Sequence, residues 1–134
     1  MIAVDTSALV AILRDEPEKY RFLRTIAYAR RCMMSAPTFL ECCMVLSGRQ
    51  SGEREAFDRI DDTLRQSGVT IVAFDEEQAI AARDAFGTYG KGRRSRAALN
   101  FGDCISYALA KTQGVPLLFK GNDFSETDIQ PAIR

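Results

Sequence analysis

The chain opens with a short apolar run, MIAV, that stops at Asp5-Thr6-Ser7 and gives way to SALVAILRDEPEKYRFLRTIAYA, where apolar residues recur every three or four positions. That change of period predicts a strand followed by one helix. CMMS predicts a second, brief strand, and Ala36 and Pro37 start a second helix, with proline in its tolerated first turn, ending near Ser47 and Gly48. A third helix over about residues 53–66 stops at Ser67 and Gly68, VTIVAF reads as a strand, and Asp75 caps a fourth helix through about Phe86. Residues 87–96 form a loop. Asn100-Phe101-Gly102-Asp103 then opens a fifth helix to about Thr112, and VPLLF supplies the last strand. In the fifth helix Phe101, Ile105 and Leu109 form the expected packed stripe, and Asp103 projects with Ser106, Tyr107 and Ala110.

Strands alternating with helices predict an α/β fold with a parallel sheet, helices on both faces, and ligands at the carboxyl ends of the strands. The acids gain meaning from that rule. Asp5, Glu41 and Asp103 each sit alone in a long uncharged run (MIAVDTSALVAIL, CMMSAPTFLECCMVLSG and AALNFGDCISYALA), although 27% of the residues are charged. A carboxylate among apolar residues is costly to bury without compensation. Asp5 follows the first strand directly, and Asp123 follows VPLLF after Lys120-Gly121-Asn122, so both stand where a site is expected. Four carboxylates converging on one cleft repel, and a divalent cation is the usual way to keep them ionised.

The remaining composition narrows the chemistry. With 134 residues and 46% apolar content the chain suits a single domain over residues 1–134. Eighteen basic and eighteen acidic residues cancel, so nucleic-acid binding has to rest on a local patch. There is no basic leader, and no apolar run approaches the ~20 residues of a membrane span; the expectation is a cytoplasmic protein with no membrane partner. Cys32, Cys42, Cys43 and Cys104 read as small packed hydrophobes, because their spacing suits no zinc site. The absence of His removes the usual general base. Any chemistry here runs on carboxylates.

Four segments in this order (DTSAL with Asp5, APTFLE with Glu41, FGDCISYALA with Asp103 and LLFKGNDF with Asp123) resemble PIN-domain proteins of the VapC toxin type. The resemblance runs from Met1 to about Ile129. It implies a PIN-like three-layer sandwich with a central, mostly parallel sheet, and a ribonuclease using Mg²⁺, with Mn²⁺ as a substitute. It also implies a homodimer, a cognate antitoxin that silences the enzyme, and contact with DNA only through that antitoxin. Asp5, Glu41 and Asp103 match the metal-binding acids, Asp123 the more variable fourth acid, and Thr6 or Ser7 the hydroxyl beside the first. Magnesium on one or two carboxylates keeps several waters, and a metal lowers the pKa of an attacking water, so no His is needed.

Each acid also has a plainer role available, although for Glu41 it would need a distant Arg or Lys partner. Asp5 and Asp103 suit helix N-termini, and Asp123 suits a Gly-Asn turn. The run KGRRSR, with Lys91, Arg93, Arg94 and Arg96, is either a phosphate-binding patch or a solvated loop; Arg14 and Lys120 are further candidates for RNA contact. A receiver-like phosphoacceptor would leave Glu41 unexplained, and a phosphatase with Asp5 as nucleophile would want an acid where Ser7 stands. The remaining rival is a non-catalytic PIN-like domain that engages a partner within a DNA-binding regulatory complex.

Overall fold

Short β-branched and sulfur-containing runs bounded by polar residues form the sheet, and the amphipathic segments between them cover it. The computed structural model describes residues 1–48 and 52–133. Its elements are β1 (Ile2–Val4), α1 (Thr6–Leu13), α2 (Lys19–Tyr28), β2 (Cys32–Ser35), α3 (Ala36–Leu46), α4 (Glu53–Ser67), β3 (Val69–Val72), α5 (Glu76–Tyr89), α6 (Phe101–Gln113) and β4 (Leu117–Leu118). Among the described residues the strands form one parallel sheet in the order β3-β2-β1-β4. The expected α/β architecture is therefore observed.

Strand alternation sorts side chains to two cores. Ile2, Val4, Cys32, Met34 and Leu118 pack with apolar residues of α1 to α4, whereas Ala3, Met33 and Leu117 pack with those of α5 and α6, Phe124 and Ile129. These are the three layers. Chain order reverses between β2-β1 and β4, so the crevice past the carboxyl ends of β1 and β4 is the topological switch point. The edge of β4 is covered by the C-terminal segment, where Leu117 N–H donates to Gln130 C=O at 2.9 Å and Ala132 N–H to Leu117 C=O at 2.8 Å.

Three expectations need correction. The first long helix is two, broken at residues 14–18: Asp15 takes φ 54, and Pro17 disfavours helical geometry in Glu16 before it. The strands read as VTIVAF and VPLLF shorten to Val69–Val72 and Leu117–Leu118, since Ala73, Phe74 and Phe119 lie beyond the ends of the neighbouring strands and Pro116 has no N–H for the ladder. In α6 the supposed packed stripe fails at its first member. Phe101 is 82% exposed, while every residue from Gly102 to Ala110 is buried, so Asp103 lies inside rather than on an open face. Sandwiched by α5 on one side and the sheet and α3 on others, α6 has no polar face over that stretch.

All four cysteines are free and buried. Burial pushes the Cys42 thiol up to about 12, with Cys43 beside it acting in the same direction, so it stays protonated and inert. Among the described residues no helix is long and apolar enough to cross a membrane.

Candidate functional site

Asp5 is the first residue past β1 and caps α1 from an extended backbone, φ −85 and ψ 158. Its Oδ2 accepts from Ser7 N–H at 3.0 Å and from Ser7 Oγ at 2.6 Å, and its Oδ1 accepts from Ser106 Oγ at 2.5 Å. The plainer capping role is thus real. A cap needs one such bond, however, and Asp5 has three while only 5% exposed. Ser7 Oγ also accepts from Lys120 N–H at 3.0 Å, which ties the end of β4 to the end of β1.

Glu41 reaches the same place from α3. Its Oε1 accepts from Thr6 Oγ1 at 2.6 Å, and its carboxylate lies against the first turn of α6: a Cβ on Gly102 would stand 2.1 Å from Glu41 Oε2. Only glycine leaves that room. The positive end of α6 favours the negative charge brought to it. Thr6 and Ser7 divide the work expected of one hydroxyl, Thr6 serving Glu41 and Ser7 serving Asp5.

Asp103 completes a capping box. Its N–H donates to Asn100 Oδ1 at 2.9 Å and its own Oδ2 accepts from Asn100 N–H at 3.0 Å. The carboxyl is nonetheless raised to about 6, first by burial and then by the charges of Asp5, Asp123 and Glu41, against the lowering effect of the Asn100 N–H. The other three predicted acids are therefore close enough to act on this one carboxyl. Asp123 differs from the rest in being exposed, on the loop after β4.

The basic candidates are placed less uniformly. Lys120 turns its ammonium to Glu16 at 2.7 Å and Glu18 at 3.2 Å, bracing the turn between α1 and α2. Arg14 caps the far end of α1, about 13 Å along that helix from Asp5, and makes a long contact of 3.4 Å with Val45 C=O. Lys91, Arg93, Arg94 and Arg96 are exposed on the loop that leads into the α6 cap, with Arg93 stacked over the Phe86 ring at 4.8 Å from its centroid.

Among the described residues no three acidic or thiol side chains converge into a ready-made cation cage. Two of the carboxylates are instead turned to hydroxyl donors. Such an open, all-oxygen set fits a hard cation that keeps most of its waters and takes one or two carboxylates, rather than a closed site. Three contributors were not named from the sequence as site residues: Ser106, Thr38 behind it at 3.4 Å, and Gly102. One signal was present, since Ser106 shares the Asp103 side of α6 within an otherwise apolar stretch.

Comparison with known proteins identifies the family and the fold. The PIN domain family matches residues 2–130. Ribonuclease VapC30 of Mycobacterium tuberculosis is 48% identical over 130 residues, covering 96% of this chain and 95% of that protein. Two solved structures share the fold. One is M. tuberculosis VapC20, described as a Sarcin-Ricin loop cleaving toxin, with a TM-score of 0.73 at 19% identity and 96% of each chain covered. The other is VapBC2 of Rickettsia felis bound to a DNA fragment from its promoter, with a TM-score of 0.73 at 18% identity, covering 98% of this chain and 96% of that one. With its acids at the switch point and this likeness along nearly its whole length, the chain belongs to the PIN-domain family, as a VapC-type member.

Proposed function

We propose that this chain is the endoribonuclease toxin of a toxin–antitoxin pair, hydrolysing RNA phosphodiesters with Mg²⁺, or Mn²⁺ in its place, at Asp5, Glu41, Asp103 and Asp123. Its VapC-type relatives are named ribonucleases, and a divalent metal is what the resemblance to this family implies. The observation that carries the reading is geometric: Thr6, next to Asp5, holds Glu41, Ser106 on the Asp103 helix holds Asp5, and Glu41 lies against the first turn of that helix, so that burial and the neighbouring carboxylates push the Asp103 carboxyl up to about 6. Such crowding has little structural value. It is relieved when a cation binds.

A bound divalent cation would offset charge on the attacked phosphate and ease deprotonation of the attacking water. The protein residues do the positioning. Asp5, pinned by Ser7 and Ser106, and Glu41, held by Thr6, present fixed oxygens, and Asp103 adds a third from the start of α6. Asp123, exposed on its loop, orients water or supports a second ion. Lys91, Arg94 and Arg96 engage RNA phosphates. The partner is a cognate antitoxin, with DNA reached only through it; the toxin is a cytoplasmic homodimer and residues 1–134 act as one domain. A purely partner-binding role would leave the crowded acids without purpose.

Cleavage of a panel of structured RNAs with Mg²⁺, with EDTA and with Asp5→Asn tests this. Cutting that needs metal and vanishes in the variant is the expected result, and Asp123→Asn should retain more activity than Asp5→Asn. Metal-independent cutting, or full activity in Asp5→Asn, would overturn the assignment.

A further inference from the structure

Ser106 lies on α6, 101 positions from Asp5, yet its hydroxyl donates to Asp5 Oδ1 at 2.5 Å in a wholly buried setting, Ser106 being 1% exposed. A serine hydroxyl has one proton. That proton is committed to Asp5, so the 3.4 Å contact between Ser106 Oγ and Thr38 Oγ1 requires Thr38 to donate. Thr38 is itself 2% exposed. The hydroxyls of α3 and α6 therefore point in one direction, toward Asp5.

A carboxylate offers about four lone-pair positions. In Asp5 both on Oδ2 are filled by Ser7, through its N–H and its Oγ, and one on Oδ1 is filled by Ser106. One position on Oδ1 remains. We infer that Ser106, backed by Thr38, is a positioning residue that fixes the rotation of the Asp5 carboxylate and leaves a single Oδ1 lone pair for a divalent cation, so that Asp5 binds through one oxygen.

The inference rests on the metal-site reading above and deepens it. A bond of this kind is what a ligand gains from its outer partners: the orientation is set before the ion arrives, and loss of such a partner typically weakens metal affinity by about 10–100-fold. Ser7 cannot replace Ser106, because it holds only the other oxygen. Without the Ser106 donor, Asp5 is held through Oδ2 alone, Oδ1 has two open lone pairs, and the carboxylate is freer to turn about its Cβ–Cγ bond.

Titration of the full-length chain with Mn²⁺ by calorimetry, needing no RNA, tests the inference. Wild type should bind and Asp5→Asn should not. Ser106→Ala should bind about 10–100-fold more weakly while its thermal unfolding stays cooperative. Ser106→Thr, which keeps the hydroxyl, should recover most of the affinity. Thr38→Val, removing only the outer hydroxyl, should weaken binding less than Ser106→Ala, and it supplies the test if the alanine variant fails to fold. Unchanged Mn²⁺ affinity in Ser106→Ala, or in Thr38→Val when only that variant folds, would overturn the role of Ser106 while leaving the metal site standing. A wild-type chain that takes up no Mn²⁺ would overturn the metal site, and the positioning role with it.

Discussion

Asp103 meets two opposed demands. The capping box needs its carboxylate to accept from Asn100 N–H, while burial and the charges of Asp5, Asp123 and Glu41 favour its protonated form. Burial and repulsion prevail, because one backbone donor does not offset them, and the group titrates at about 6 instead of the 3.8 of a free aspartate. The sign of the consequence follows from proton counting. Between these two values the folded chain holds more protons than the unfolded one, so this group's contribution to stability falls as pH rises. Its penalty is small below about pH 4, grows through about pH 6 and is complete above that, reaching about 3 kcal/mol. In EDTA, urea unfolding of wild type and Asp103→Asn should diverge by about 1–2 kcal/mol between pH 5 and pH 7.5, the wild type losing ground as pH rises. Parallel curves would mean that Asp103 is not under this strain. Mg²⁺ should stabilise the wild type more at pH 7.5 than at pH 5, since it binds the ionised form.

The close approach of α3 to the start of α6 decides where Glu41 can stand. Gly102 allows it: a methyl group there would fall 2.1 Å from Oε2 and 2.9 Å from Oε1 of the same carboxylate. In Gly102→Ala the backbone need not move, because the obstacle is the end of a flexible side chain, and alanine is the better helix former by about 1 kcal/mol. The chain should therefore fold with little change in Tm. Glu41, however, must leave Thr6 or tilt by an ångström or so, and displacement of that size can lower a rate by about 100-fold. RNA cleavage assays paired with thermal melts check both halves; a fully active variant would show that Glu41 works from another position. The same region shows what the sequence could and could not disclose. Asp5, Glu41 and Asp103 were visible because an isolated carboxylate in an apolar run is costly, and that cost is local. Gly102 and Ser106 were not, because their meaning lies in contacts with α3 and with the end of β1, and glycine or serine on a helix is unremarkable alone. The break between α1 and α2 is harder to read for a different reason. Apolar residues stop at Leu13 and resume at Tyr20, a spacing of seven that keeps the helical phase, so Pro17 is the one local sign of the interruption and the left-handed turn at Asp15 leaves no mark in the sequence.

Charge is arranged so that the chain as a whole exerts little pull on RNA, with eighteen basic residues against eighteen acidic ones and an acidic cluster at the crevice. Attraction has to be local. The loop of Lys91, Arg93, Arg94 and Arg96 is suited to this because it is exposed and anchored at both ends, through Lys91 N–H to Leu99 C=O at 3.0 Å and Leu99 N–H to Tyr89 C=O at 3.0 Å. It then runs directly into the Asn100 cap of the helix that carries Asp103. An RNA strand held by this loop would enter beside the helix that carries Asp103. Each phosphate neutralised on a single strand adds about 0.7 to the slope of log affinity against log salt. Replacing Arg93, Arg94 and Arg96 by Gln in a cleavage-silent Asp5→Asn background should lower that slope by up to about 2 and weaken binding about 10–50-fold at 0.15 M salt. Arg93 is already engaged with the Phe86 ring, so the Arg94 and Arg96 replacements should produce most of the loss. Fluorescence anisotropy with a labelled single strand across a salt series separates the outcomes. A lower affinity at unchanged slope would point to altered loop shape rather than lost phosphate contacts, and no change in either would assign the basic loop to a partner other than RNA.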